Sequence, residues 1–360
     1  MRTSPNILVV GAGASGLAFA LACAHHGLQV RIIDKRPARS HIQKATGVAL
    51  GIWQQLAAYG ITPNIIGDAF PMRHFVFHED QRLIADITVP LIKGQAPAHL
   101  YPQADLEQAM ENALAALDVR VDYGLECTDV RQGNDKAHAT LKHADESTET
   151  QACDWLIAAD GSHSQIRSQL GLPFIGHDYP ESWSVAEIST QHWPESIQAQ
   201  LHLGSDGIGL FLSQPKRGNI QGIVNAPGAA QRLQALFPDA QLHYERAFRV
   251  ALRRVATPRH GRVWLIGDAA HVQSPVGGQG LNLAIWDGIT LGNALMRGEE
   301  QVAERLAKRA RRVLFFTDFD YRMLATRSRT LRGLRNAYWA QAAKHPRLAR
   351  WFFKLISGVW

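Results

Sequence analysis

The chain has 360 residues, 46% of them hydrophobic and 19% charged, which suits about two domains with substantial cores and excludes a disordered or fibrous protein. No run approaches the ~20 apolar residues that a membrane span requires, and the chain opens without a signal-peptide pattern. The three cysteines form no CxxC pair, so we expect a cytoplasmic protein with free thiols and no metal site. The net charge of +6 is distributed unevenly, since nine basic and no acidic residues follow Asp320.

The N-terminal region predicts a β-α-β unit. Asn6–Val10 and Val30–Ile33 are strand-like apolar runs, and Leu17–Ala24 between them is an apolar helix. A GxGxxG loop joins the first strand to this helix, and its glycines allow a tight turn, the close approach of a pyrophosphate and close helix–strand packing. Asp34 ends the second strand and can accept a hydrogen bond from a ribose. The unit predicts a dinucleotide site, and this motif alone does not distinguish FAD from NAD(P). Its predicted contacts are Gly11, Gly13, Ala14, Ser15, Gly16, Asp34 and Lys35.

The middle of the chain predicts two kinds of structure. Two runs around residues 74–87 form a hairpin, Ala104–Leu117 is an amphipathic helix, and Trp155–Ala159 is a buried strand. From about Leu172 to Thr257, short β-prone runs alternate with turns, and Gly204–Gly207 joins two of them. These runs predict one antiparallel sheet, inserted as a second domain between parts of the first. The four runs are Ser184–Thr190, Gln200–Leu203, Ile208–Ser213 and Ile220–Asn225.

Two further motifs follow buried strands. Asp160-Gly161-Ser162-His163-Ser164-Gln165-Ile166-Arg167 places an arginine, whose fork suits phosphate, soon after a turn. Later, a strand ends at Gly267, and Asp268 is placed to accept a hydrogen bond from a polyol hydroxyl. The Gly-rich stretch Pro275–Asn282 then opens a helix near Leu281, whose first N–H groups would stabilise negative charge on a ligand. For His271 we favour a structural role over a catalytic one.

Together these motifs resemble those of the flavin-dependent aromatic hydroxylases, the p-hydroxybenzoate hydroxylase family. The resemblance runs from Asn6 to about Leu295, and its most specific part is the second motif, which in that family contacts the ribityl chain and the ring of FAD. It implies an α/β protein with a discontinuous Rossmann-like FAD-binding domain (1–70, 100–171 and 258–300). An antiparallel substrate domain (71–99 and 172–257) and a basic helical tail (301–360) complete it. The further FAD contacts that it implies are Lys44, Gln103, Asp160, Gly161, Arg167, Gly267, Asp268, Pro275, Gly278, Gly280, Leu281 and Asn282; at Lys44 and Gln103 the family often carries arginine.

The resemblance also implies a reaction. It predicts an NAD(P)H-dependent monooxygenase, with NADPH favoured, that hydroxylates an aromatic small molecule with O₂ through a C4a-hydroperoxyflavin. Alternatives are an FAD-dependent dehydrogenase or reductase without oxygen insertion, and a peripheral-membrane quinone hydroxylase. We expect no nucleic-acid partner, and the oligomeric state is open. The flavin-facing residues would be Pro275, Gly278 and Gly280, and no side chain is identifiable as a catalytic base.

We expect the substrate pocket between the Pro275–Gly280 loop and the inner face of the sheet. Its candidate lining residues are Trp53, Glu187, His202, Phe211 and Gln214. The basic, aromatic tail could lie on an anionic membrane or dock on the protein. We favour docking against the FAD domain, because Leu331, Leu334 and Tyr338 recur at helical spacing, with the arginines pointing to water.

Overall fold

A computed structural model describes residues 6–40, 45–67, 69–80, 82–194, 196–204, 207–214 and 219–358. The strands are β1 (Ile7–Val10), β2 (Val30–Asp34), β3 (Gly47–Ala49), β4 (Phe70–Pro71), β5 (His74–Glu79), β6 (Arg82–Thr88), β7 (Ala98–Leu100), β8 (Val121–Tyr123), β9 (Glu126–Gln132), β10 (Ala137–Lys142), β11 (Thr148–Cys153), β12 (Trp155–Ala158), β13 (Ile175–Ser189), β14 (Ala199–Gly204), β15 (Gly207–Gln214), β16 (Asn219–Val224), β17 (Gln241–Arg254), β18 (Arg259–His260), β19 (Val263–Leu265) and β20 (His271–Val272). The helices are α1 (Ala14–His25), α2 (Leu50–Leu56), α3 (Pro63–Ile66), α4 (Gln103–Ala115), α5 (Gln165–Gln169), α6 (Ala229–Leu236), α7 (Gly280–Arg297), α8 (Val302–Leu324), α9 (Arg329–Lys344) and α10 (Pro346–Ile356).

The first sheet has six strands in the order β18-β19-β12-β1-β2-β8, and all but β18 run parallel. Its central strand β1 is fully buried, as a parallel strand covered on both faces must be. Helices α1 and α7 pack closely on each other because glycines face the neighbouring helix. A Cβ on Gly288 would lie 2.4 Å from the carbonyl oxygen of Ser15, and one on Gly292 would lie 2.7 Å from the Cβ of Ala22. The β-α-β unit expected from the sequence is therefore present.

The second sheet has eight strands in the order β20-β17-β13-β16-β15-β14-β5-β6. The sequence predicted a wholly antiparallel sheet, and that detail is wrong because β14 pairs in parallel with β5. The connection between these strands is long enough to return the chain to the same end of the sheet, which a hairpin cannot do. The two predicted hairpins are present as antiparallel pairs, β5 with β6 and β14 with β15; Ser205 and Asp206 of the second turn lie outside the described residues.

A three-stranded antiparallel sheet, β11-β10-β9, was not predicted from the sequence. Only alternate residues of β10 are buried, and its strands contain many polar residues. Its apolar face packs on the first sheet through Val130, Ala139 and Leu141.

The tail is helical and docked, but its contact differs from the expectation. Helix α9 packs against β6 of the second sheet, and Trp339 stacks on Phe77 with ring centroids 4.1 Å apart. Leu331 and Leu334, expected to be buried, are exposed. The buried residues of α9 are instead Arg335, Trp339 and Ala342. Within the described ranges, no helix has the length and apolar content that crossing a membrane requires. The mixed α/β fold with several sheets and a helical C-terminal region is as predicted.

Candidate active site

The GxGxxG loop lies where β1 meets α1. Gly11 has φ +108°, and a Cβ there would lie 2.3 Å from the carbonyl oxygen of Ala159; a Cβ on Gly16 would lie 1.9 Å from that of Gly11. Both positions therefore require glycine. Gly13 is the N-cap of α1 and supplies no side-chain cap, so the first N–H groups of the helix stay open to an anion. This end of α1 fits a pyrophosphate.

Asp34 lies beside this loop, at the end of β2. Its Oδ2 accepts a hydrogen bond from the Ala12 N–H at 2.8 Å, and Arg36 donates to both carboxylate oxygens. Burial raises the pKa of Asp34, but these hydrogen bonds and the Arg36 charge outweigh it, so the pKa lies below its ordinary value. Asp34 is thus ionised with part of its acceptor capacity already taken by Arg36, while Lys35 is exposed.

The motif that begins at Asp160 is held by its arginine. Arg167 donates to the carbonyl oxygens of Ala269 and Ser162, both at 2.9 Å, and its guanidinium lies 3.8 Å from the ring centre of Phe174. The side chain therefore connects this turn to the second motif. Asp160 accepts from the Ile166 N–H at 3.2 Å, and its other oxygen, Oδ1, is buried without a partner among the described residues.

In the second motif, Asp268 is exposed although its neighbours are buried, and it lines a cavity. The turn is anchored from behind by Asp287 of α7, which accepts from the Gly267 N–H at 3.1 Å and lies 2.6 Å from Nε2 of His271. Burial lowers the pKa of His271, but the charge and hydrogen bond of Asp287 and the charge of Asp268 together outweigh it, so the pKa lies above its ordinary value. Since both partners are buried behind the turn, this geometry agrees with a structural role for His271.

The Pro275–Gly280 loop leads into α7, whose N-cap also lacks a side-chain hydrogen bond. Asn282 fixes this loop, since its Nδ2 donates to the carbonyl oxygen of Gly278 at 2.6 Å and its Oδ1 accepts from the Ala49 N–H at 2.8 Å. Its side chain is thus engaged with backbone groups of the loop and of β3. Gln103 donates to Glu107 at 2.8 Å, and Lys44 lies outside the described residues.

A cavity of about 820 Å³ joins these parts. One wall holds Ser162, Arg167, Asp268 and the loop through Asn282; the opposite wall is the apolar face of the second sheet, and a third wall comes from the tail helices. The cavity lies between the Pro275–Gly280 loop and the sheet, where the sequence placed the pocket. The sheet residues are Phe75, Phe77, Trp183, Leu201, Ile208, Leu210, Leu212, Ile223, Phe248 and Val250.

The five proposed substrate residues, by contrast, do not line this cavity among the residues that the structure describes. Trp53 is buried in the hydrophobic core beside the first sheet. His202 and Phe211 alternate with the cavity-facing leucines, so they point to the other face, where Phe211 packs against α6. Glu187, bound to Asn219 at 2.6 Å, and Gln214 are buried elsewhere on the sheet. The expectation is wrong for all five: Trp53, Glu187, His202, Phe211 and Gln214.

Sequence reasoning also missed the wall that the tail provides. Asp320 and Leu324 of α8, Trp339 of α9, and Phe352 and Ile356 of α10 line the cavity. The helical spacing of Trp339 and Ala342 indicates the buried face of α9. Leu331 and Leu334 form a second apolar pattern on the same helix, and the sequence alone does not distinguish the two.

Comparison with known proteins gives the family. A family described as "FAD binding domain" matches residues 5–232 and 228–308, most of the chain. The chain belongs to this FAD-binding family. The relationship predicted from the three motifs is therefore confirmed.

Curated proteins that the chain is similar to include two named as monooxygenases. The chain is 27% identical over 310 residues to a 6-methylpretetramide 4-monooxygenase of Streptomyces rimosus, covering 80% of this chain and 55% of that protein. It is 26% identical to a pentachlorophenol 4-monooxygenase of Sphingobium chlorophenolicum, covering 79% and 57%. The chain thus spans just over half the length of these two curated relatives. A p-nitrophenol 4-monooxygenase structure from Pseudomonas putida DLL-E4 superposes over the whole of both chains with a TM-score of 0.88 at 21% identity, which shows a shared fold.

Proposed function

We propose that the protein is an FAD-dependent monooxygenase that hydroxylates a phenolic small molecule with NAD(P)H and O₂. The observation that carries the proposal is the cavity, because it places a large apolar wall directly opposite the Pro275–Gly280 loop and Asp268. An apolar chamber beside a polar, Gly-rich loop is the arrangement that a flavin ring and an aromatic substrate together require. The relatives named as phenol-type monooxygenases support the choice of reaction.

The residues of the chain have distinct tasks in this proposal. The open N-terminus of α1 binds the FAD pyrophosphate, and Asp268 accepts a hydrogen bond from the ribityl chain. The N-terminus of α7 stabilises negative charge on the ring. Bound FAD supplies the oxygen-transfer chemistry. Leu210, Leu212 and the tail helices exclude water and hold the aromatic ring in position.

For the reductant we propose NADPH rather than NADH. Exposed Arg249 and His163 lie on the cavity wall beside the Asp160 motif, and they offer donors to an additional phosphate. The comparison to make is kcat/KM for the two nucleotides, with Arg249→Gln as the variant. Equal values in the original protein would refute the preference.

The reaction itself is tested with the FAD-loaded protein, a panel of phenols and ¹⁸O₂. We expect NADPH consumption that depends on the phenol and a product that carries one ¹⁸O atom. NADPH consumption without ¹⁸O in the product would instead indicate a dehydrogenase or reductase. Protein that cannot be reconstituted with FAD would refute the proposal.

A pair of adjacent substitutions tests the location of the substrate. Leu212→Phe narrows the cavity, whereas Phe211→Leu acts on the opposite face of the same strand. We expect Leu212→Phe to change the ranking of phenols by kcat/KM, and Phe211→Leu to affect stability but not that ranking. The reverse pattern would place the substrate elsewhere.

A further inference from the structure

Asp320 is a buried carboxyl group on the cavity wall. The residue is 8% exposed, and the part of the chain that the structure describes contains no hydrogen bond or ion pair to its side chain. A Cβ placed on Gly277 would lie 3.8 Å from Oδ2 of Asp320, so the carboxylate faces the loop that we assign to the flavin ring. A carboxylate removed from water without a partner is costly, and this favours a functional reason for its presence.

Among the residues that the structure describes, no buried cation on the cavity wall is placed to pair with Asp320. Of the arginines on the cavity wall, Arg167 is bonded to backbone carbonyls, Arg253 is paired with Asp178, and Arg249 is exposed. Leu324 and Trp339 make the wall around the carboxylate apolar. A polar group of the substrate is therefore the natural partner for this side chain.

We propose that Asp320 is the base that ionises the substrate, taking the proton from its phenolic hydroxyl. The O–H bond of the phenol breaks, a new O–H bond forms on the Asp320 carboxylate, and the negative charge moves to the phenolate oxygen. The phenolate is richer in electrons at its ring carbons than the phenol is, which favours attack on an electrophilic oxygen. This inference rests on the proposed hydroxylase function and adds a residue and a substrate class to it: neutral phenols, rather than aryl carboxylates that would bring a second negative charge.

Its titration agrees with this role. Burial raises the pKa of Asp320 to about 7, and a base is most effective when its pKa lies near the working pH. Tyr338 of α9 faces Asp320, and its own pKa is raised by burial and by the aspartate. From β17, Arg249 reaches the same cavity, while the wall formed by α7 and its preceding loop from Pro275 carries no ionisable side chain.

The kinetic test compares Asp320→Asn with Asp318→Asn. Asp318 lies on the same helix but is bonded to Tyr179 and Arg322, so its variant is a matched control for loss of a carboxylate. With phenol as substrate, which is un-ionised in solution near neutral pH, we expect Asp320→Asn to lower kcat about 100-fold at that pH and to recover as the phenol ionises in alkaline solution. Asp318→Asn should stay within about twofold of the original protein, and Asp320→Glu should restore part of the loss.

A binding measurement separates this proposal from the proposed function, because it needs neither NADPH nor turnover. The FAD-loaded protein is mixed with 4-nitrophenol near pH 6, where the free probe is mostly un-ionised, and the phenolate band of the bound probe is read from a difference spectrum. We expect this band with the original protein and with Asp318→Asn, and mainly neutral phenol with Asp320→Asn. The same spectrum in all three proteins, or no phenolate on the original protein, would overturn the proposal. Absence of hydroxylation alone would overturn only the proposed function.

Discussion

Replacing Asp320 by asparagine should make the folded protein more stable at neutral and alkaline pH. The side chains have nearly the same shape, so packing is kept while the charge is removed. Burial raises the pKa of Asp320 from 3.8 to about 7, which means that the folded state holds the proton more tightly than the unfolded chain does.

The size and pH range of the effect follow from this shift. Below about pH 4 the carboxyl is protonated in both states, and the variant and the original protein differ little. As pH rises from about 4 to about 7, the unfolded chain loses its proton first, so the free energy of unfolding of the original protein falls; above about pH 7 the loss levels off. A shift of about 3 units corresponds to about 4 kcal/mol. At pH 5 the original protein has already lost part of this free energy of unfolding. The difference in stability between Asp320→Asn and the original protein should therefore grow by about 3 kcal/mol between pH 5 and pH 8.

Urea unfolding of the FAD-loaded proteins at a series of pH values would measure this difference. Asp318→Asn is again the control, and it should lower stability slightly at each pH because it removes the charge that pairs with Arg322 and weakens the hydrogen bond from Tyr179. If the stability difference between Asp320→Asn and the original protein did not change from pH 5 to pH 8, the carboxylate would not be desolvated as the structure indicates.

Five other substitutions test four separate parts of the structure. Asp268→Ala should weaken FAD binding by ~1–3 kcal/mol, measured by fluorescence on FAD release; unchanged affinity would contradict the ribityl contact. Gly288→Ala should lower Tm through a clash with α1, whereas Gly333→Ala, at an exposed position of α9, should stabilise by up to ~1 kcal/mol; equal effects would refute the packing argument. Arg167→Ala should raise the KM for NAD(P)H in rapid-mixing flavin reduction with FAD mostly retained; an unchanged KM would leave Arg167 a structural role only. Glu79→Gln should lower the free energy of unfolding by ~3–5 kcal/mol, because it leaves the buried Arg335 charge without its carboxylate partner. Chemical denaturation measures this loss, and a much smaller value would mean that the pair is solvated.

The sequence identifies the nucleotide domain well because its signals are local. An apolar strand, a Gly-rich turn and an apolar helix follow one another directly, and the turn at Gly267-Asp268 has the same continuity. Such motifs specify their own backbone geometry, so Gly11 and Gly16 occupy the tight contacts that their positions suggested. These parts of the site could be predicted from residue order alone.

The substrate wall could not be predicted in the same way. Strand alternation separates Leu210 and Leu212 from Phe211, but it does not say which face meets α6 and which meets the cavity. Which face of the strand meets the cavity depends on where distant segments pack. The prediction that the aromatic Phe211 lines the pocket was therefore wrong. Asp320 was missed for the same reason, since nothing in its helix distinguishes it from Asp318 until α8 is placed against Gly277.

The tail illustrates how charge in a sequence can serve packing. Arg335 is buried, donating to Glu79 and to the carbonyl oxygen of Leu324, both at 2.6 Å, and Arg332 bonds Glu79 and Asp80 at 2.9 Å. Burial lowers the pKa of Arg335, yet the acidic end of the β5–β6 hairpin keeps it paired. These arginines therefore attach α9 to the second sheet instead of pointing to water. Trp339 of α9, with Phe352 and Ile356 of α10, forms part of the cavity wall, so the pairing at Glu79 helps to close the cavity. Loss of that docking would admit water to the place where the proposed reaction must exclude it.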